Sequence, residues 1–332
     1  VSIEIRELDR QDEAQLRAFW EVERDAVADR PYNLALTWPT AKVLIPREAH
    51  GRIRVFAAAW EGDTVVGALA GGGPTTDNVH RAECDVSVHP DHRRRGVGTQ
   101  LLGFFETWAR ENGRRTVTGE VFAPIDATSP GLEFATRHGF GVVIEDGMKV
   151  ADVAETRDTW TGLAAECAPF HGDYEIRTVG SPMPDELVAG YCLIQNMFMS
   201  EAPTGESDIE DEVWDEERVR ANEARGRAAG RHASTTFALT PDGEVAAMTE
   251  LFVIESAPER GLQSGTLVSP AHRGHRLGLA VKVANQQAMT ERFPELAFIV
   301  TGNAAVNTHM NAINDRLGFR VVERCLEVEK AL

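Results

Sequence analysis

Six consecutive residues, Arg93-Arg94-Arg95-Gly96-Val97-Gly98, bring three guanidinium groups and two glycines to the end of an apolar strand, Asp85-Val86-Ser87-Val88. They open a helix whose apolar residues recur as Val97, Leu101, Leu102, Phe105 and Trp108. A glycine turn at a helix N-terminus aims several backbone N–H groups at one point, where the helix dipole also favours an anion. Gly96 and Gly98 let the main chain approach phosphate oxygens, and the arginines add charge-assisted contacts. Thr99 follows on the same first turn. The spacing matches neither a Gly-Lys-Ser/Thr phosphate loop nor a G-x-G-x-x-G turn after an N-terminal strand. A second loop, Arg273-Gly274-His275-Arg276-Leu277-Gly278, repeats the arrangement with Arg276 where the first glycine stood. Its backbone N–H survives there, so its side chain must turn away or join in.

The loops belong to a longer repetition. Glu4-Ile5-Arg6 returns as Glu175-Ile176-Arg177, the turn glycine Gly62 as Gly243, Val88 to Arg93 as Val268 to Arg273, and Gly139-Phe140 as Gly318-Phe319. Landmarks in one order at nearly one offset mark a duplicated unit. Each copy reads as an opening strand, one or two helices (such as Asp12 to Val27), and a hairpin with glycine turn chemistry. A short strand, the basic loop, a helix (Gly98 to Asn112; Gly278 to Arg292), a further strand and a last helix ending at Gly-Phe follow, glycine being the usual left-handed cap. A helix over Glu155 to Cys167 connects the copies.

Val-x-Pro-x-x-Arg-x-x-Gly-x-Gly, with Gly-Phe farther on, resembles the GCN5-related N-acetyltransferases (GNAT), whose coenzyme motif is matched by Arg93, Gly96 and Gly98. The second copy is similar to the tandem mycothiol synthase type through His272 to Gly278 and Asn307-x-x-Met310-x-x-x-Asn314-x-x-Leu317-Gly318-Phe319. The resemblance implies an α/β chain of the α+β type. Its units are an N-terminal GNAT-like domain over 1–153, a linker helix over 154–173 and a C-terminal GNAT-like domain over 174–332. Each would be a mixed, mostly antiparallel splayed sheet flanked by helices. It further implies acetyl-CoA as acyl donor, its pantetheine paired with backbone groups of Val86 and Val88 and its pyrophosphate held by Arg93 to Gly98. Val268, Arg273, Gly274, His275, Arg276, Leu277 and Gly278 would serve in the second copy, with Asn307 as a further coenzyme contact where the first copy has Thr128. The oxyanion donor would be a strand N–H near Val88 or Val268. Relatives keep a carboxylate near Glu83, which reads equally as an exposed strand-end glutamate. The aligned Gln263 cannot act as a base, and Glu250, on the neighbouring strand, is the alternative. The usual thiolate-protonating tyrosine is replaced by Ala135 and Asn314. Asn314 is expected to pack against coenzyme or substrate.

The chain of 332 residues carries a net charge of −18. That balance gives no electrostatic reason to bind nucleic acid or anionic membrane and favours cationic small molecules. No apolar run is long enough to span a bilayer. The four cysteines form no CxxC pair, no metal-ligand spacing appears, and a cytoplasmic monomer or homodimer is expected. Between Glu201 and Glu217 the charges are all acidic, bracketed by Met197, Phe198 and Trp214. Such a run is a solvated surface or, from its place in the copy, an acceptor wall to which Glu206, Asp208 and Trp214 would contribute. Three readings follow. The first is acetyl transfer to a small cationic amine (amino-sugar, aminoglycoside or polyamine) in a ternary complex. The others are mycothiol-synthase-like acetylation of a cysteinyl amine, and a coenzyme-binding regulatory protein without chemistry.

Overall fold

A computed structural model describes residues 2–201, 207, 209–210 and 212–332. The first half runs β1 (Ile3–Glu7), α1 (Glu13–Ala26), α2 (Trp38–Leu44), β2 (Arg52–Glu61), β3 (Thr64–Pro74), β4 (Arg81–Val88), α3 (Val97–Glu111), β5 (Thr116–Ala123), α4 (Pro130–Arg137) and β6 (Gly141–Asp152). Helix α5 (Val153–Cys167) leads into the second half, which repeats the order. Its elements are β7 (Glu175–Gly180), α6 (Asp185–Glu201), α7 (Glu216–Ala228), β8 (Arg231–Leu239), β9 (Val245–Ile254), β10 (Ala257–Val268), α8 (Leu277–Arg292), β11 (Phe298–Ala304), α9 (Thr308–Arg316) and β12 (Arg320–Ala331).

Local chemistry explains the boundaries. Asp12 caps α1 by accepting from Ala14 N at 2.9 Å, and Leu16, Phe19 and Trp20 form its buried stripe. Strand β2 alternates, with Phe56 and Ala58 packing under α1 and α2 while Val55, Ala57 and Ala59 pack under α3. Gly318 ends α9 at φ 78°, and a Cβ there would stand 2.5 Å from Thr156 on α5. Glycine is required both by the left-handed cap and by the close passage of the connecting helix.

Rather than one sheet per half, the strands form a single sheet ordered β1-β2-β3-β4-β5-β12-β6-β11-β10-β9-β8-β7. The last strand of each half is exchanged. Strand β12 pairs along β5, β6 pairs along β11, and β6 and β12 run antiparallel side by side. The sheet is mixed, since β4–β5 and β10–β11 are parallel. Both parallel pairs are short. Strand β4 meets β5 only over Arg81–Glu83, and β10 meets β11 only over Arg260–Leu262, although each strand continues well beyond. Past those points the strands diverge, leaving one fork in each half.

Candidate active site

Both basic loops stand at the tip of a fork. After a short turn (Pro90–His92; Pro270–His272) each chain passes through two left-handed positions before its helix begins. In the first loop these are Arg94 at φ 62° and Gly96 at φ 82°; in the second they are Gly274 at φ 88° and Arg276 at φ 55°. The glycine has moved from one left-handed position to the other, while the backbone path is kept. Such a turn into a helix N-terminus presents successive N–H groups to an anion in both halves. The Arg276 side chain does turn away. It lies 3.9 Å over the Phe170 ring and pairs with Glu166 on α5.

The arginines of the first loop are largely engaged by protein. Arg93 donates to Val88 O at 3.2 Å and Ala26 O at 2.8 Å, while Arg95 pairs with Glu61. Arg94 remains on the surface, 3.8 Å from Glu133. In the second loop Arg273 pairs with Glu201 and His275 meets Phe170 O at 3.2 Å. Thr99 meets His138 at 3.1 Å, and Val97 and Leu277 are buried first-turn anchors. The cradle is therefore a backbone feature, with most basic side chains bracing it. Gly98 and Gly278 serve packing, because a Cβ would come within 3.2 Å of Phe134 and 3.0 Å of Ile313 on the last helices.

The fork edges carry free main-chain groups. His89 N–H bonds Val66 O and Ser269 N–H bonds Ala246 O. Bonded pairs alternate along an antiparallel ladder. Hence the amides of Val86 and Val88, and that of Val268, face the fork rather than the neighbouring strand. On β10 the ladder slips as well. Gln263 opposes Leu251 and Thr266 opposes Thr249, so Ser264 and Gly265 together oppose Glu250 in a bulge.

A cavity of about 1010 Å³ opens at this second fork and reaches across to Thr40, Glu120 and Asp146 of the first half. Glu250, Trp214 and Asn307 all line it. Burial raises the Glu250 carboxyl, while hydrogen bonds from Tyr191 (3.2 Å) and Thr235 (3.3 Å) partly offset that rise. Tyr191 in turn accepts from Gln195 at 2.6 Å and packs edge-on to Trp214. Asn307 caps α9 by accepting from Met310 N at 3.1 Å. Asn314 is fully buried behind the cavity, accepting from Lys282 Nζ at 2.7 Å and donating to Asn303 at 2.8 Å.

Residues 14–140 match the Acetyltransferase (GNAT) family model. A tandem GNAT protein from the clavulanic acid biosynthesis pathway superposes with a TM-score of 0.82 at 23% identity, covering 99% of this chain and 98% of that one. The family match lies in the first half, and the whole chain has the fold of tandem GNAT proteins. A GCN5-related N-acetyltransferase from Sphaerobacter thermophilus superposes at 0.67 and 15% identity, covering 99% and 95% of the two chains. The glucosamine N-acetyltransferase region of a fungal multi-domain GH3 β-N-acetylglucosaminidase also gives 0.67, at 12% identity over 98% of this chain and 38% of that one. No curated protein matches the sequence.

The two halves differ at three matched positions. The backbone bonds at Val66 and Ala246 make Ala70 the counterpart of Glu250. Leu102 and Lys282 are each the sixth residue of α3 and α8, and Ala135 and Asn314 each stand four before the capping glycine. The first half is apolar at all three positions and the second is polar at all three.

Other ionisable groups escaped the sequence reading. Glu23 falls on the buried stripe of α1, seven residues after Leu16, and burial with the Asp85 charge pushes its carboxyl up to about 8 against the pull of Arg54. Asp85 shares the strand face of Glu83 but stands past the point where pairing with β5 stops. Water reaches its carboxyl, yet enclosure by the fork, with the Glu83 charge, raises it. Glu83 itself is exposed and paired with Arg52 at 2.7 Å. The period-two spacing of Glu83 and Asp85 is the signal that could have drawn attention to Asp85.

Within the acidic run, Glu212 pairs with Arg218, and Glu210 bonds Asn78 of the first half through its main chain. Glu206 and Asp208 lie outside the described residues.

Proposed function

We propose that this GNAT protein transfers an acetyl group from acetyl-CoA to a small cationic amine, and that the second half performs the reaction. Glu250 carries the assignment: a desolvated carboxyl opposite the β10 bulge, inside the large cavity at the fork. A raised carboxyl pKa suits a general base working near neutrality. Its part is to take a proton from the acceptor ammonium, so that the amine lone pair attacks the thioester carbonyl. The Val268 amide faces the same fork and supplies a donor of the kind that stabilises developing oxyanion charge. The Arg273–Gly278 cradle suits a pyrophosphate, because Arg276 keeps the left-handed path and leaves the N–H groups clear. The first loop, with an open Gly96, offers a second coenzyme cradle in a half whose counterpart positions are apolar.

A cationic acceptor fits the lining. Four carboxylates, Glu120, Asp146, Glu223 and Glu250, line the cavity against the cations Arg225, Arg231 and Lys282, with Trp214 as an aromatic wall. The fungal neighbour's glucosamine N-acetyltransferase region supports trying amino sugars early among the acceptors.

The test is thiol release from acetyl-CoA with a panel of amino sugars, aminoglycosides and polyamines. Glu250→Gln should lower kcat/KM by about 10²–10³-fold with coenzyme affinity unchanged. Wild-type kinetics in that variant would refute the assignment of the base.

A further inference from the structure

Lys282 is the least expected residue of the second fork. It is 1% exposed, among the largest fully buried side chains, yet lines the cavity beside Gln263 and Thr301. Among the described residues no carboxylate pairs with it. Its ammonium donates to Asn314 Oδ1 at 2.7 Å, touches the Met310 sulfur at 3.9 Å and lies 5.5 Å from the Phe319 ring centre. A lone buried ammonium is costly to retain for packing alone, and an apolar side chain of similar size would fill the space. The first half shows such a solution, with Leu102 and Ala135 at the counterpart positions.

We propose that Lys282 is the acid that protonates the departing coenzyme A sulfur, and that Asn314 is its positioning residue. The inference rests on the second half being the acyl-transfer site. The amine attacks the carbonyl carbon and the C–S bond breaks, its electron pair leaving on sulfur. Lys282 Nζ–H gives its proton to that sulfur, so coenzyme A departs as the neutral thiol. The acceptor nitrogen gives one proton to Glu250 before attack. It loses its second as the amide forms, and that proton restores the Lys282 ammonium. The overall reaction converts an ammonium and a thioester into an amide, a thiol and one released proton. Burial and the nearby Lys149 charge push the Lys282 ammonium down to about 7, which makes proton donation to a thiolate favourable. Lys149 is itself engaged with Asn311, and the other ionisable groups lining the cavity are Glu250 on β9, Asp146 on β6, Glu120 on β5, Tyr191 on α6, Glu223 and Arg225 on α7 and Arg231 on β8.

The experiment compares acetyl-CoA with acetyl-seleno-CoA, whose selenol is acidic enough to leave without a proton. Lys282→Met should lose about 100-fold in kcat with acetyl-CoA and recover to within about 5-fold of wild type with the selenoester. Lys282→Gln, which can still bond Asn314 but has no proton to give, should behave alike and guards against misfolding of the first variant. Equal losses with both donors would assign Lys282 a packing role and overturn the proposal, as would full activity with acetyl-CoA. If the wild-type chain transfers acetyl to no amine, the functional reading and this inference both fall. Turnover by wild type with donor-independent variants removes this inference alone.

Discussion

Replacing Lys282 by methionine should change stability with a sign that depends on pH. The folded-state ammonium lies near 7 against an ordinary value of 10.5. Below about pH 7 both folded and unfolded chains carry the proton, and the full cost of burying the charge is present, roughly 4–5 kcal/mol. Between about 7 and 10.5 the unfolded chain binds more protons, so wild-type stability rises with pH and the cost fades. Methionine removes that cost and fills a similar volume, but it leaves Asn314 Oδ1 without its donor, about 1–3 kcal/mol. The variant should therefore exceed wild type by about 2–3 kcal/mol near pH 6 and fall below it near pH 10. The difference should drift by roughly 1.4 kcal/mol per pH unit between those limits. Urea unfolding followed by circular dichroism at three pH values measures it. A difference that stays constant with pH would show that Lys282 is not a buried, uncompensated charge.

Glu23 gives the mirror case. Its carboxyl is raised to about 8, so stability is lost as pH rises from about 4.5 to 8; Glu23→Gln should match wild type near pH 4 and gain about 2–3 kcal/mol near pH 9. Thermal melts at the two pH values check it, and an equal gain at both would refute it. Ending the chain after Gly318 deletes β12, which lies between β5 and β6. Both halves should then lose cooperative unfolding and become sensitive to protease, and a first half that still melts cooperatively would contradict the exchanged sheet.

Features that depend on nearest neighbours were legible in the sequence. The repeated hairpin glycines, the capped α1, the two basic loops and the helices behind them follow from turn chemistry and short-range periodicity. Partner choice was not legible. Nothing in Gly141–Asp152 distinguishes pairing with its own half from pairing with β11, since either edge offers the same ladder of amides. Arg276 in a left-handed conformation was also hidden, because glycine is the residue whose presence advertises that region, and here it had moved two places to Gly274. Lys282 sits in a run of apolar α8 residues where a lysine normally reads as the solvent face. Only the deep packing of α8 against β8, β9 and α9 turns it inward. By contrast, Glu250, Asn307 and Trp214 come from three separate stretches of sequence, and the fold brings them to one cavity.

The strand exchange also bears on ancestry. The sheet order reads the same from either end once each element is matched to its counterpart, and the antiparallel β6–β12 pair marks where a pseudo-two-fold axis would pass. A lone copy of either half would have an unfilled place beside its fifth strand. It could complete the sheet only by trading last strands with a twin, as a swapped homodimer does. Joining the copies through α5 makes that trade intramolecular, at an effective concentration no free protomer needs to reach. Covalent joining also ends the requirement that both copies stay identical. One could then keep an apolar interior at the three diverged positions while its sibling acquired Glu250, Lys282 and Asn314, without losing the strand each lends the other.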